Sequence, residues 1–105
     1  MDVREFDVGV LAHRLARRAA IAFRSSASAA DAHRVFTDPL CDSYADASGP
    51  GPDRAEVMAA FASSSFVFAK RSLTVGHRHA SLGYARRDLR WGLSTLALAR
   101  RRRSA

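Results

Sequence analysis

Hydrophobic positions recur three and four residues apart along most of this chain, which is the period of an amphipathic helix. From Val3 to about Phe23, the residues Val8, Leu11, Ala12, Leu15, Ala19, Ala22 and Phe23 share one helical face. His13, Arg14, Arg17 and Arg24 fall opposite, and Arg18 lies at the border. A second helix is predicted after Ser28, carrying Val35 and Phe36. It breaks or kinks at Asp38, because Pro39 disfavours helical geometry in the residue before it. A short piece follows through Leu40, Cys41 and Tyr44, and then the loop "SGPGP" at residues 48–52. Beyond Asp53, a stripe of Val57, Phe61, Ser64 and Phe68 predicts a helix to about Ser72. The rival reading of residues 64–79 is a β-hairpin, since "SSSFVFA" and "SLTVGHRH" are both β-prone. The last helix is predicted from about Leu82 to Arg101, with Leu82, Leu89, Leu93 and Leu96 as its apolar stripe.

Start signals agree with these periods. "DVRE", "SAAD" and "DRAE" each place a capping residue three positions before an acid, and "DPL" adds an Asp-Pro start. The expectation is a small all-α bundle of four or five helices, the alternative being α+β with the hairpin. Residues 1–99 would form one domain and residues 100–105 a basic tail. Much of the apolar content is alanine, so the core should be thin and built from a few Leu, Val and Phe side chains. The first and last helices should supply most of it. His13 and His33 read as surface or boundary residues.

Charge changes the picture more than composition does. The net charge is +7 over 105 residues, and every basic side chain but Lys70 is arginine. Residues 31–56 are acidic, whereas in residues 69–105 Asp88 is the one acid among ten basic side chains. The chain ends "LALARRRRSA". On a helical wheel Arg86, Arg90, Arg100 and Arg101 share a face, with Arg87 at its edge and Tyr84, Trp91 and Leu98 in a stripe beside it. Basic side chains interleaved with aromatics suit a phosphate backbone. The leading expectation is therefore non-catalytic binding of DNA or RNA backbone through Arg86, Arg87, Arg90, Arg100, Arg101, Arg102 and Arg103, without base readout. The alternative is a helical protein-interaction module or small subunit docking through Tyr84, Trp91 and Leu98. A third reading is a GC-rich reading frame with no evolved role. Capping signals that agree with the hydrophobic periods argue against it.

Other chemistry is poorly served. Asp38, Asp42 and Asp46 could line one helical face and hold a hard cation, but they read better as a solvated face or as a counter-surface for the Arg-rich end. His77 and His79, with Cys41 or His33, resemble a zinc set only loosely, since Arg78 lies between them. No metal or cofactor is expected. There is no P-loop, G-x-S-x-G or H-E-x-x-H, and Ser63–Ser65 read as small residues allowing close helix contact, so no enzyme is expected. The lone Cys41 fits an intracellular, cytoplasmic setting. No apolar run reaches the ~20 residues of a membrane span. The first helix is basic and amphipathic, but its mostly alanine face suits packing better than membrane anchoring. "LARRAAIAFRSSAS" has the look of a presequence, with the acids before it arguing otherwise. A bipartite nuclear-import spacing and a basic phosphorylation context at Ser104 would apply only in a eukaryotic host.

Overall fold

The computed structural model describes residues 3–75 and 79–104, with side chains for all of these except 46–48, 75, 79–81, 103 and 104. It is all-α: α1 spans Val3–Ala22, α2 Ala29–Ala32, α3 Asp38–Ser48, α4 Arg54–Val75 and α5 His79–Ser104. A π-helical turn, His33–Thr37, joins α2 to α3, so these three make one bent rod and the fold is a bundle of four rods. Among the described residues there is no strand, and the segment that could have been a hairpin belongs to α4. The bundle measures 45 × 27 × 23 Å.

Two of the four start signals act as their chemistry dictates; Asp38 of "DPL" caps nothing, since the helix runs through it, and Asp2 of "DVRE" lies outside the described residues. Ser28 Oγ accepts the Asp31 main-chain N–H at 3.2 Å, and Asp31 accepts that of Ser28 at 3.3 Å. Asp53 accepts the N–H groups of Ala55 and Glu56 at 2.9 and 3.2 Å. The return bond to the Asp53 N–H comes from Glu5 of α1, at 3.1 Å, instead of from Glu56. Burial pushes the Glu5 carboxyl up, but the N–H groups of Asp53 and Glu5 and the Arg4 guanidinium outweigh it and leave it below the usual range. Of the break or kink expected at Asp38, the break is absent and the irregularity falls just before it, in the π turn. Asp38 stays helical, at φ −63 and ψ −47, and the wider π turn before it absorbs the proline.

α4 packs along α5 antiparallel to it, and α1 runs parallel to α4 against its other side, reaching α5 through the side chains of His13 and Arg17. The approach of α1 to α4 is close. A Cβ on Gly9 would collide with the Val57 carbonyl oxygen, the Ala60 Cβ and the Phe61 nitrogen. Close approach turns the buried stripe of α1 away from the expected one. Val8 and Ala12 are buried as expected, but with Glu5, Gly9, His13, Ala16 and Ala20, while Leu11, Leu15 and Phe23 face outward. The last helix departs likewise: Leu82, Leu89 and Leu93 are 49, 40 and 63% exposed, and its buried face is Ala85, Asp88, Trp91, Thr95 and Ala99. No leucine is buried among the described residues. Phe61 and Trp91 fill the centre, surrounded by alanines.

Candidate anion-binding site

Two buried histidines tie the rods together, contrary to the surface positions expected for them. His13 meets Ser64 Oγ through Nδ1 at 2.7 Å and Asp88 Oδ1 through Nε2 at 3.0 Å. The other Asp88 oxygen accepts from Arg17 Nε, also at 3.0 Å. His13 and Asp88 are wholly enclosed, so α1, α4 and α5 are locked by one polar chain. His33 bonds Thr37 of its own π turn and Thr95 of α5, each at 2.8 Å, and so fastens the second rod to the last. Burial, and beyond it Arg102, pulls its pKa down to about 4 against the opposing pull of Asp38. Ser64, His13 and Asp88 stand in the order of nucleophile, base and orienting acid. A cleft of about 150 Å³ reaches Ser64. Ser64 lies mid-helix, however, where main-chain N–H groups are spent within α4, so they form no oxyanion hole beside it. The chain fits a core fastener.

Arg17 leads from this core to the surface. The second half of α1, the end of α4 and the start of α5 meet at one end of the bundle, around the Phe68 ring. Arg17, Arg71 and Arg14 place their guanidinium carbons 4.6, 5.4 and 5.9 Å from its centroid. With Leu11, Leu15 and Arg18 they line a cleft of about 440 Å³ that contains no acid. Arg17 also lies 5.6 Å from the Tyr84 ring, which begins a second basic cleft of about 350 Å³ lined by Arg24, Ser25, Tyr84 and Arg87. Arg87 is 9% exposed, stacked at 5.3 Å on Tyr84 and 5.6 Å on Trp91. Its Nε and Nη2 are buried without a hydrogen-bond partner. Desolvation, with Arg17 nearby, lowers its pKa despite the opposing charge of Asp88.

The arginines expected to form one site are divided. Arg86 and Arg90 are exposed on the outer face of α5 and line neither basic cleft, and Arg87 is turned inward. Arg100, Arg101 and Arg102 are exposed at the other end of α5, roughly 21 Å from Arg86 at 1.5 Å per residue. The Arg103 side chain lies outside the described residues. Arg102 sits where its charge reaches His33 and Cys41. The nearby acids are already engaged: Arg54 bonds Asp38 at 2.6 Å and Asp42 at 2.5 Å. That fork gives two carboxylates of the acidic stripe a partner on α4, and the Asp46 side chain is outside the described residues. Trp91 is a core residue whose Nε1 donates to the Ala27 carbonyl at 2.9 Å, so it is unavailable to a docking protein. Tyr84 and Leu98 are half-buried.

Arg14, Arg17, Arg18, Arg24 and Arg71 were not foreseen as site residues. Their signal was present, since Arg14, Arg17, Arg18 and Arg24 recur at helical spacing without an acid between them. Among the described residues no three His, Cys, Asp or Glu side chains gather as metal ligands, and no helix is long and apolar enough to cross a membrane. His77 and the His79 side chain fall outside the described residues. Burial raises the Cys41 thiol, which is the wrong direction for a nucleophile. Compared with family models, curated proteins and solved structures, the chain matches none.

Proposed function

We propose that this protein is a non-catalytic binder of phosphate-bearing polyanions, in the first place nucleic acid backbone, and that it engages them with the end of the bundle carrying Arg14, Arg18, Arg71, Arg86 and Arg90. One observation carries the reading. The three helix segments that meet there supply a continuous set of arginines, and their one acid, Asp88, is buried and consumed by His13 and Arg17. The surface charge is therefore uncompensated. Arginines in this setting neutralise phosphates and release condensed counterions, which gives affinity without sequence readout.

Fluorescence anisotropy with labelled single-stranded and duplex oligonucleotides over a salt series tests the reading. The wild type should bind at ~50 mM salt with a steep negative log–log slope. R14A/R18A/R71A, all at exposed positions, should lose affinity and reduce the slope by about 0.9 for each lost phosphate contact on duplex. R100A/R101A/R102A should change less. Binding that vanishes with the second set and survives the first would move the site to the far end of α5. No binding at low salt would end the reading.

A second reading is a helical module that docks a protein partner. The exposed Leu82, Leu89 and Leu93 on one side of α5 favour it. Such association would resist salt, and L89E/L93E would abolish it while leaving oligonucleotide binding intact.

A further inference from the structure

Between the second half of α1 and the rod that begins at Ala29 lies an apolar cleft of about 340 Å³, walled by Ala16, Ala19, Phe23, Val35, Phe36 and Trp91. The polar side chains around it are few, and each has a partner within the chain. The Asp31 carboxylate accepts from Ser28 and Arg34, Ser25 Oγ accepts the Ala27 N–H at 3.1 Å, and the Trp91 indole donates to Ala27. A nucleobase in this cleft would give up hydrogen bonds to water against a wall that is almost wholly apolar. A hydrocarbon loses nothing. The cleft shares Ala20 and Ser25 with the basic cleft that holds Arg24 and Arg87. Arg87 lies on the ring of Trp91, the side chain that walls the apolar side. Its two unpartnered nitrogens, Nε and Nη2, form the side-on fork of a guanidinium, the edge that donates to two oxygens of one carboxylate or phosphate; both are enclosed, so an anion takes them once the Arg87 head turns into the cleft it lines. No acid lines this second cleft.

We propose that the paired clefts bind one amphiphilic anion, with a carboxylate or phosphate head on the Arg87 fork beside Arg24 and an alkyl chain in the Trp91 cleft. The head supplies the partner that Arg87 lacks, and the chain covers apolar surface otherwise left to water. This inference does not rest on the polyanion reading, because it uses none of Arg14, Arg18, Arg71, Arg86 and Arg90.

Trp91 is the only tryptophan, so its fluorescence reports the site in the full chain. Octanoate and octyl phosphate should each give a saturable change in emission. 1-Octanol should bind about tenfold more weakly or worse, for want of charge-assisted hydrogen bonds. Inorganic phosphate, without a chain, should leave the emission unchanged at the same concentrations. R87M should erase the preference for octanoate over octanol, and A19L should block both while circular dichroism stays helical. R14A/R18A/R71A should bind octanoate as the wild type does. The tighter of octanoate and octyl phosphate names the head group. Equal binding of octanol and octanoate, a preference that survives R87M, or no saturable change would overturn the proposal. So would a single-stranded oligonucleotide that displaces octanoate and reproduces its emission change, since that would assign the clefts to nucleic acid.

Discussion

Arg87 and Asp88 are consecutive residues of α5, both buried and both charged, and their circumstances are opposite. Asp88 has a partner on each oxygen: His13 on one and Arg17 on the other. Arg87 has two aromatic faces and no acceptor for Nε or Nη2. A buried charge without hydrogen bonds costs stability, and a chain under selection for stability alone would lose it. Asp88 is thus explained by the fold, whereas Arg87 needs something outside the chain.

The largest expected effect comes from breaking the satisfied side. Asp88→Ala strands Arg17 and His13 within the core, and removing one partner of such a buried network costs about 3–5 kcal/mol. Urea unfolding followed by circular dichroism measures it. A loss below about 1 kcal/mol, the worth of an exposed ion pair, would mean the network is not a fastener.

Next comes the other enclosed histidine, which sharpens the contrast by changing its own charge. His33 has a folded pKa of about 4 against an ordinary 6.5. The folded state therefore binds fewer protons than the unfolded state between these values, so its stabilising effect is complete above about pH 6.5 and is lost as pH falls toward 4. The loss is about 3 kcal/mol at 1.36 kcal/mol per pH unit. His33→Gln should be less stable near neutrality, because it cannot keep both threonine bonds, but should show a pH 4–7 profile flatter by about that amount. Parallel profiles for the two proteins would contradict the assignment.

How these side chains were hidden in the sequence follows from the core that holds them. Helix starts were legible because capping is local: Ser28 with Asp31 and Asp53 with its first turn need nothing distant. The buried faces were less so. Leu11 and Leu15 outrank Gly9 and His13 on any hydrophobicity scale, yet the close contact of α1 with α4 at Gly9 leaves room only for small side chains. A histidine enters because Ser64 and Asp88, 51 and 75 residues away, meet its two nitrogens. Partners at that distance leave no local pattern. The arginine site was half legible for the same reason. The spacing of Arg86, Arg87 and Arg90 could be read along α5, but the meeting of Arg87 with Arg17 at the Tyr84 ring, and of Arg17 with Arg14 and Arg71 at Phe68, depends on a bundle that brings three helix ends together. The tail arginines belonged to the same helix and so seemed part of the same site, although a long rod separates its two ends.

Relieving the unsatisfied side should act in the other direction. Arg87→Met keeps the stem's volume against Tyr84 and Trp91 and removes the charge. Two cation–π contacts are lost, each worth about 0.5–2 kcal/mol, and the desolvation cost of two unpaired nitrogens disappears. The expected outcome is a gain of about 1 kcal/mol, as for other buried charges replaced by apolar groups. Thermal unfolding without ligand reads this gain. A drop of more than about 1 kcal/mol would show that Arg87 belongs to the fold as much as Asp88 does.

Arg24 gives the smallest and most discriminating test. It ends α1 in a left-handed conformation, at φ 50, with the Ser25 N–H returning to the Ala20 carbonyl at 2.9 Å. That is the closing geometry in which glycine is favoured, and a side chain there costs about 1 kcal/mol. Arg24 lines the same cleft as Arg87, so local strain and an unpaired charge fall on one site. Arg24→Gly should raise stability by about 0.5–1 kcal/mol, offset in part by greater freedom of the unfolded chain. It should also weaken octanoate more than octanol. Arg24→Ala keeps the strain and removes the charge, so it should weaken octanoate equally and gain no stability. If both variants bind octanoate as the wild type does, Arg24 has no part in holding the head group, and the anion must rest on the Arg87 fork alone.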